Sequence, residues 1–121
     1  MKILLTRESV AMGDDDDTPH HREIAIADGT DLQAVVKAIL HSRYLAVIGG
    51  GKATWTVVSH IPVAIVAQQW AEPKMLMPIP SLSSLAFSDN VLSIHFNYRT
   101  QQDPDVVYEE FQRVHARKPY Q

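Results

Sequence analysis

The sequence contains no cysteine and no long apolar run. Without a thiol, the chain has no disulfide framework, no thiolate metal site and no cysteine nucleophile, and it needs no oxidising compartment. At the N-terminus only Ile3 to Leu5 form an apolar run before the charge at Arg7, which is far short of a signal peptide or a membrane span. We therefore expect a cytoplasmic protein that makes no membrane contact.

Basic residues are outnumbered by acidic ones, with 11 Lys and Arg against 14 Asp and Glu and a net charge of −3. Four consecutive aspartates, Asp14, Asp15, Asp16 and Asp17, supply −4 of that charge, so the rest of the chain carries +1. A domain with this balance has no basic field to hold a polyanion. Direct nucleic-acid binding is therefore not expected.

The length of 121 residues suits one hydrophobic core and is short for two domains. The hydrophobic share of 45% and the charged share of 21% lie in the ordinary globular range rather than the disordered one. We expect residues 1–121 to form a single domain.

Two amphipathic helices are indicated. The first follows Thr30, which with Gln33 forms a capping box, and its apolar residues recur at helical spacing. The second opens at Asp103 with Pro104 in the first helical position. The apolar stripes are listed by helix: Leu32, Val35, Val36, Ile39 and Leu40 in the first, and Val107, Phe111 and Val114 in the second.

Strands are indicated by β-branched residues and by alternation of apolar and polar side chains, which is cleanest from Asn90 to Arg99. The other predicted strands are residues 2–6, 23–27, 54–59 and 63–69. The proline-rich stretch from Ala71 to Pro80 is predicted to be a loop. Together these features predict an α+β fold, a mainly antiparallel sheet of about five strands with two helices packed on it.

The stretch Gly49-Gly50-Gly51-Lys52-Ala53 invites comparison with a phosphate-binding P-loop. It departs from that motif at two positions, because Ala46 replaces the first glycine and Ala53 replaces the hydroxyl residue that binds magnesium. It also leads into a predicted strand rather than a helix. We interpret it as a structural joint between helix and sheet, and we predict no bound cofactor.

The acidic run Asp14–Asp17 is followed by His20 and His21 in a loop rich in turn-forming residues. Adjacent carboxylates point in divergent directions and lack the alternating spacing of a calcium loop, so a metal site is the alternative rather than the prediction. That alternative is a small metal-dependent enzyme or metal-binding protein built on His20, His21 and the acidic run. The residues alone leave two interpretations open, a solvated acidic loop and an acidic loop offered to a basic partner, since clustered charge steers association.

No catalytic motif is present in the sequence. No serine has the nucleophile-elbow context, and no helix carries paired metal-ligand histidines. His60 and His95 are each explained as a surface residue, His60 in a turn and His95 on the polar face of a strand. The two tryptophans, Trp55 and Trp70, bracket the central strand pair, and an exposed one would be a candidate interface anchor.

Five segments together carry a resemblance to a known protein family. They are Arg7–Asp15 after a short opening strand, Pro19-His20, Tyr44-Leu45, Gly50–Trp55 and Ala64–Trp70. This combination resembles small bacterial immunity proteins, the partners of polymorphic toxins that include those of contact-dependent growth inhibition. The resemblance covers about the first 75 residues of the 121.

The resemblance implies a non-enzymatic cytoplasmic protein that binds the toxic C-terminal domain of a cognate effector, in many cases a nuclease, and blocks its active site. A nuclease groove that holds phosphates would suit an acidic ligand. The predicted partner-binding residues are Asp14, Asp15, Asp16, Asp17, His20 and Trp70.

Overall fold

The computed structural model describes residues 1–8, 21–42, 44–45, 53–100 and 102–117. Within them, two helices pack on one mixed sheet of seven strands, so the fold is α+β as predicted. The strands are β1 (Lys2–Arg7), β2 (His21–Ala25), β3 (Thr54–Ser59), β4 (Ile61–Ala67), β5 (Lys74–Met75), β6 (Phe87–Ser88) and β7 (Val91–Tyr98). The helices are α1 (Leu32–His41) and α2 (Pro104–Arg117).

The strand order is β2-β1-β7-β3-β4-β5, with β6 paired to β7 beyond the end of β3. The pairing of β1 with β7 is parallel, so the prediction of a mainly antiparallel sheet of about five strands is wrong. Alternation within a strand does not reveal its neighbour, and the parallel pair joins segments about 90 residues apart. The two extra strands, β5 and β6, have two residues each and are too short to show alternation.

The hydrophobic core lies on the face of the sheet that packs against α1, which we call the first face. Ile3 and Leu5 on β1 lie beside Leu92 and Ile94 on β7, so the parallel register places two apolar rows on the same face. Burying four such side chains stabilises the fold by roughly 1.5–3 kcal/mol each. The predicted stripe of α1 packs into the same cluster, whose members include Leu32, Val35, Val36, Ile39, Trp55, Val57 and Phe96.

Trp55 is a core residue, with 1% of its surface exposed and its ring centroid 4.8 Å from that of Tyr98. This position explains the joint predicted at Gly49–Trp55 only in part, because residues 46–52 lie outside the described residues. The strand that follows the glycines is anchored in the core by its second residue.

The N-cap of α1 is one residue later than predicted. The Asp31 carboxylate accepts a hydrogen bond from the Ala34 backbone N–H at 2.8 Å, whereas the Thr30 hydroxyl donates to the Ala27 carbonyl at 2.6 Å. Thr30 is therefore already satisfied by the preceding turn, and Asp31 caps the helix.

Helix α2 begins as predicted, with Asp103 accepting a hydrogen bond from the Asp105 N–H at 3.0 Å and Pro104 in the first helical position. Its predicted apolar stripe is only partly correct, because Val107 is buried but Val114 is 50% exposed. His115 is buried instead, and its Nε2 lies 2.7 Å from the Pro78 carbonyl oxygen. This side of the helix packs against the segment after β4, which contains Pro78 and which the sequence predicts to be a loop.

Helix α2 covers the second face of the sheet over β4 and β5. Thr56, Ile65 and Lys74 are cross-strand partners on that face, and the Lys74 ammonium lies 3.4 Å from the Asp105 carboxylate of α2. Ile65 is fully buried there. Neither described helix has both the length and the apolar character needed to cross a bilayer.

Candidate functional site

The predicted partner-binding residues Asp14, Asp15, Asp16, Asp17 and His20 lie outside the described residues. Their connection to the fold is nonetheless defined at both ends. The chain leaves β1 through Glu8 and re-enters the sheet at His21, the first residue of β2. The acidic run therefore belongs to the connection between the two strands at one edge of the sheet.

Half of the second sheet face, formed by β2, β1 and β7, carries no helix of the described residues. Leu4 and Thr6 on β1 alternate with the buried Ile3 and Leu5, so they lie on the face opposite the core. Leu4 is half-buried and Thr6 is exposed, because α2 covers only the β4 and β5 side of this face. Among the described residues, strands β2, β1 and β7 thus present a polar surface, and it includes His21, the residue at which the connection ends.

One cross-strand row organises this surface. Thr6 pairs with His21 on β2 and with His95 on β7, and His95 in turn pairs with Val58 on β3. The Thr6 hydroxyl lies 2.7 Å from His95 Nδ1, a hydrogen bond that occupies one ring nitrogen of His95. The row therefore places one imidazole on each side of Thr6.

The row forms one wall of a groove of about 280 Å³. Its lining residues are Leu4, Thr6, His21, Val58, Ser59, His60, Ala86, Ser93, Ile94 and His95.

His60 joins this groove because the turn between β3 and β4 bends there. Its φ of 64° is in the left-handed region, which turns the backbone tightly enough for β4 to begin at Ile61. The Ser59 hydroxyl donates to the Ser93 carbonyl at 2.7 Å and accepts from the Ala86 N–H at 3.0 Å. That serine is therefore fixed as part of the floor, and the imidazoles are among the polar groups left to face a ligand.

Imidazoles supply hydrogen-bond donors, acceptors and metal-ligating nitrogens. Within the described part of the chain, the His21 and His60 side chains make no hydrogen bond, and no three His, Asp or Glu side chains are grouped as metal ligands. A metal held here would need ligands from the segment before His21 in addition to those of the groove.

The sequence placed His60 and His95 correctly in a turn and on the polar face of a strand, but as separate surface residues. It did not bring them together with His21. The pairings of β7 with β1 and β3 do so, and both of those are long-range contacts.

The outer edge of β2 is the second feature of this region. Met1 and Ile26 exchange two backbone hydrogen bonds of 2.9 Å, which sets the alternation of the β1–β2 ladder. By that alternation the backbone groups of His21, Glu23 and Ala25 point away from β1. No strand in the described ranges pairs with this edge, so those groups are available to another chain.

Trp70 lies far from the groove along the sheet, in the turn after β4. It is half-buried, its backbone N–H donates to the Ala67 carbonyl at 3.1 Å, and the Lys74 ammonium lies 4.7 Å from its ring centroid. The structure therefore does not bring Trp70 together with the groove, and it gives Trp70 a different setting from the buried Trp55.

Ionisable groups close to α1 have shifted pKa values. The Lys37 ammonium donates to Glu72 at 2.8 Å and lowers the pKa of that carboxyl. Burial raises the pKa of Tyr44 to about 12, against the opposing charges of Arg7 and Arg22. Tyr44 is thus a neutral core group, with its ring 5.9 Å from that of Phe96.

Comparison of the chain with protein-family models, with curated proteins and with solved structures finds no match.

Proposed function

We propose that this chain is an immunity protein that binds the toxic C-terminal domain of a cognate polymorphic toxin, of the contact-dependent inhibition type or a related one. It neutralises that domain, a nuclease, by covering its active site without catalysis. The observation that carries the proposal is the acidic run Asp14–Asp17 in the connection to β2, whose outer edge pairs with no strand in the described residues.

Charge supports this function. The four aspartates concentrate in one connection all of the net negative charge of an otherwise nearly neutral chain. A nuclease holds its substrate through a basic groove, and complementary charge accelerates encounter and favours the correct partner. The acidic run is suited to occupy such a groove in place of the phosphates.

The sheet edge supports it as well. A partner strand added to β2 would bond to the backbone of His21, Glu23 and Ala25, a mode of recognition in which the backbone supplies affinity and the side chains supply specificity. The acidic run is separated from this strand by three residues in the sequence. One partner can therefore engage both.

The test replaces Asp14, Asp15, Asp16 and Asp17 together by Asn and measures binding to the toxin domain encoded immediately upstream of this gene in the source genome. We expect the association rate at low salt to fall about tenfold or more and its salt dependence to flatten, because steering charge is lost. Stopped-flow or surface plasmon resonance at several salt concentrations gives both quantities.

A matched control removes exposed carboxylates elsewhere, with Asp89→Asn, Glu109→Gln and Glu110→Gln. Its effect per charge removed should be small. If the upstream domain does not bind the unmodified chain, the immunity function is wrong. If it binds but the quadruple variant associates at an unchanged rate and with unchanged salt dependence, the acidic-run mechanism is wrong.

A second candidate function is metal-dependent binding or catalysis at His20, His21 and the acidic run. The observation that favours it is the convergence of His21 with His95 and His60 in one groove. Zinc is the metal that imidazole and carboxylate ligands suit best, and neighbouring groups such as Thr6 would hold the ligand rings in place.

Calorimetric titration of tag-free protein with zinc tests this candidate. Binding of one zinc per chain should weaken about tenfold or more in His21→Gln and in His95→Gln, because each removes a ligand. His41→Gln, at the exposed end of α1, serves as control. No saturable binding, or equal affinity in all three variants, would remove this candidate.

A further inference from the structure

On the covered half of the second face, a lysine ammonium lies against two aromatic rings and a carboxylate. Lys74 Nζ is 4.7 Å from the centroid of the Trp70 ring, 5.3 Å from that of Tyr108 and 3.4 Å from Asp105 Oδ1. Both rings are within the distance of about 6 Å at which a cation is attracted to a ring face. We call Trp70, Tyr108 and Asp105 the cation cage.

Two different elements build the cage. Trp70 lies in the turn after β4, whereas Tyr108 and Asp105 are three residues apart on α2 and so share one side of the helix. The Tyr108 hydroxyl lies 3.4 Å from the Met75 carbonyl oxygen and 3.2 Å from Gln112 Oε1, which fixes its ring beside β5. The Tyr108 ring is therefore held in place by contacts other than Lys74.

The cage is open to solvent. The Lys74 side chain is 50% exposed and that of Asp105 is 66% exposed. Lys74 reaches the cage from the short edge strand β5, where its backbone pairs with Ile65. Its ammonium can thus leave the rings without disturbing buried structure.

We propose that the cation cage is a binding site for alkylammonium groups and that Lys74 is its internal occupant. Two ring faces and one carboxylate form the chemistry by which proteins recognise quaternary ammonium and methylated lysine. An alkylammonium group presents the same charge with more apolar surface than Lys74, so it gains more from the rings. The site is distinct from the groove and from the β2 edge, and it holds whether or not the chain binds a toxin.

The experiment measures choline binding to the full chain by ¹H–¹⁵N NMR, following the Trp70 indole signal. In Lys74→Ala the internal competitor is gone, and we expect choline to bind about fivefold or more tightly than to the unmodified chain. The neutral isostere 3,3-dimethyl-1-butanol should bind at least about fivefold more weakly than choline, since the rings and Asp105 attract the charge. The Trp55 indole signal, from the core, should not move.

Three variants complete the test. Lys74→Ala/Tyr108→Ala should lose most of the gain, with thermal unfolding showing that the chain still folds. Lys74→Ala/Asp105→Asn, which keeps both rings, should bind choline more weakly than Lys74→Ala. Lys37→Ala removes another exposed, ion-paired lysine that lies over no ring, and it should gain no choline binding.

A trimethyllysine peptide, measured beside choline, separates the two sources of the headgroup. Tighter binding of the peptide than of choline would identify a protein side chain as the ligand, and the reverse a free quaternary amine. Equal binding of choline and its neutral isostere, or no saturable shift of the Trp70 signal in Lys74→Ala, would overturn the proposal.

Discussion

The two halves of the second sheet face have similar strands and opposite environments. On the half that includes α2, Thr54, Thr56 and Ile65 are fully buried. On the other half, Thr6 and His21 are exposed, although they occupy equivalent positions in the alternation of their strands. The difference in side-chain exposure comes from the elements packed on the sheet and not from the strands. The strand pattern alone therefore does not predict which half has a ligand surface.

The polar groups of the two halves differ accordingly. Thr56 Oγ1 accepts a hydrogen bond from Arg99 Nε at 3.0 Å, and the Thr54 hydroxyl donates to the Gln102 carbonyl at 2.7 Å. Buried polar groups need such internal partners, because leaving one unsatisfied costs about 1–3 kcal/mol. The imidazoles of the open half are free of that requirement, which leaves His21 and His60 available for intermolecular contacts.

The largest expected effect tests this comparison directly. Ile65→Ala, on the covered half, should lower the free energy of unfolding by about 2–5 kcal/mol, because it leaves a cavity under α2. Leu4→Ala, on the open half, should cost only about 1 kcal/mol, since Leu4 is half-buried beside solvent. Urea denaturation of both variants measures the two changes.

Equal losses in the two variants would show that the open half is covered in solution. If addition of the toxin domain restored the stability lost in Leu4→Ala, the toxin domain would instead be identified as the cover.

A smaller effect is expected at the contact that holds α2 on its half. The Gln112 side-chain amide accepts from the Met77 N–H at 2.8 Å and donates to the Met77 carbonyl at 2.6 Å. Gln112→Ala should therefore cost about 1–2 kcal/mol, the value of two hydrogen bonds. Gln33→Ala on α1 is the control, because Gln33 is exposed and makes no such bonds, and it should change stability by less than about 0.5 kcal/mol.

Hydrogen exchange sharpens this test. If Gln112 anchors α2, amide protons of β4 and β5 should exchange faster in Gln112→Ala, whereas those of β1 and β2 should be unchanged. Uniform acceleration across the sheet would show that the two halves unfold together.

The success of prediction depended on the range of the interactions. The start of α2 at Pro104, the buried stripe of α1 and the alternation of β7 follow from residues close in sequence, and all three are present. The N-cap of α1 lies one residue later than predicted because the Thr30 hydroxyl bonds to the Ala27 carbonyl. The predicted partner, Gln33, is equally close in sequence, so sequence distance does not decide between the two. The groove was not predicted as a site, because His60 and His95 were interpreted as separate surface residues and His21 belonged only to the metal-binding alternative.

The sequence by itself determined the α+β class, the two helices and the concentration of negative charge in one connection, because propensity, periodicity and charge are local properties. The tertiary structure decided the parallel pairing of β1 with β7, the half of the sheet that α2 covers and the meeting of His21, His60 and His95 in one groove. It also brought Lys74 to Trp70 and Tyr108. These arrangements depend on contacts between distant segments, whose energies no local pattern encodes.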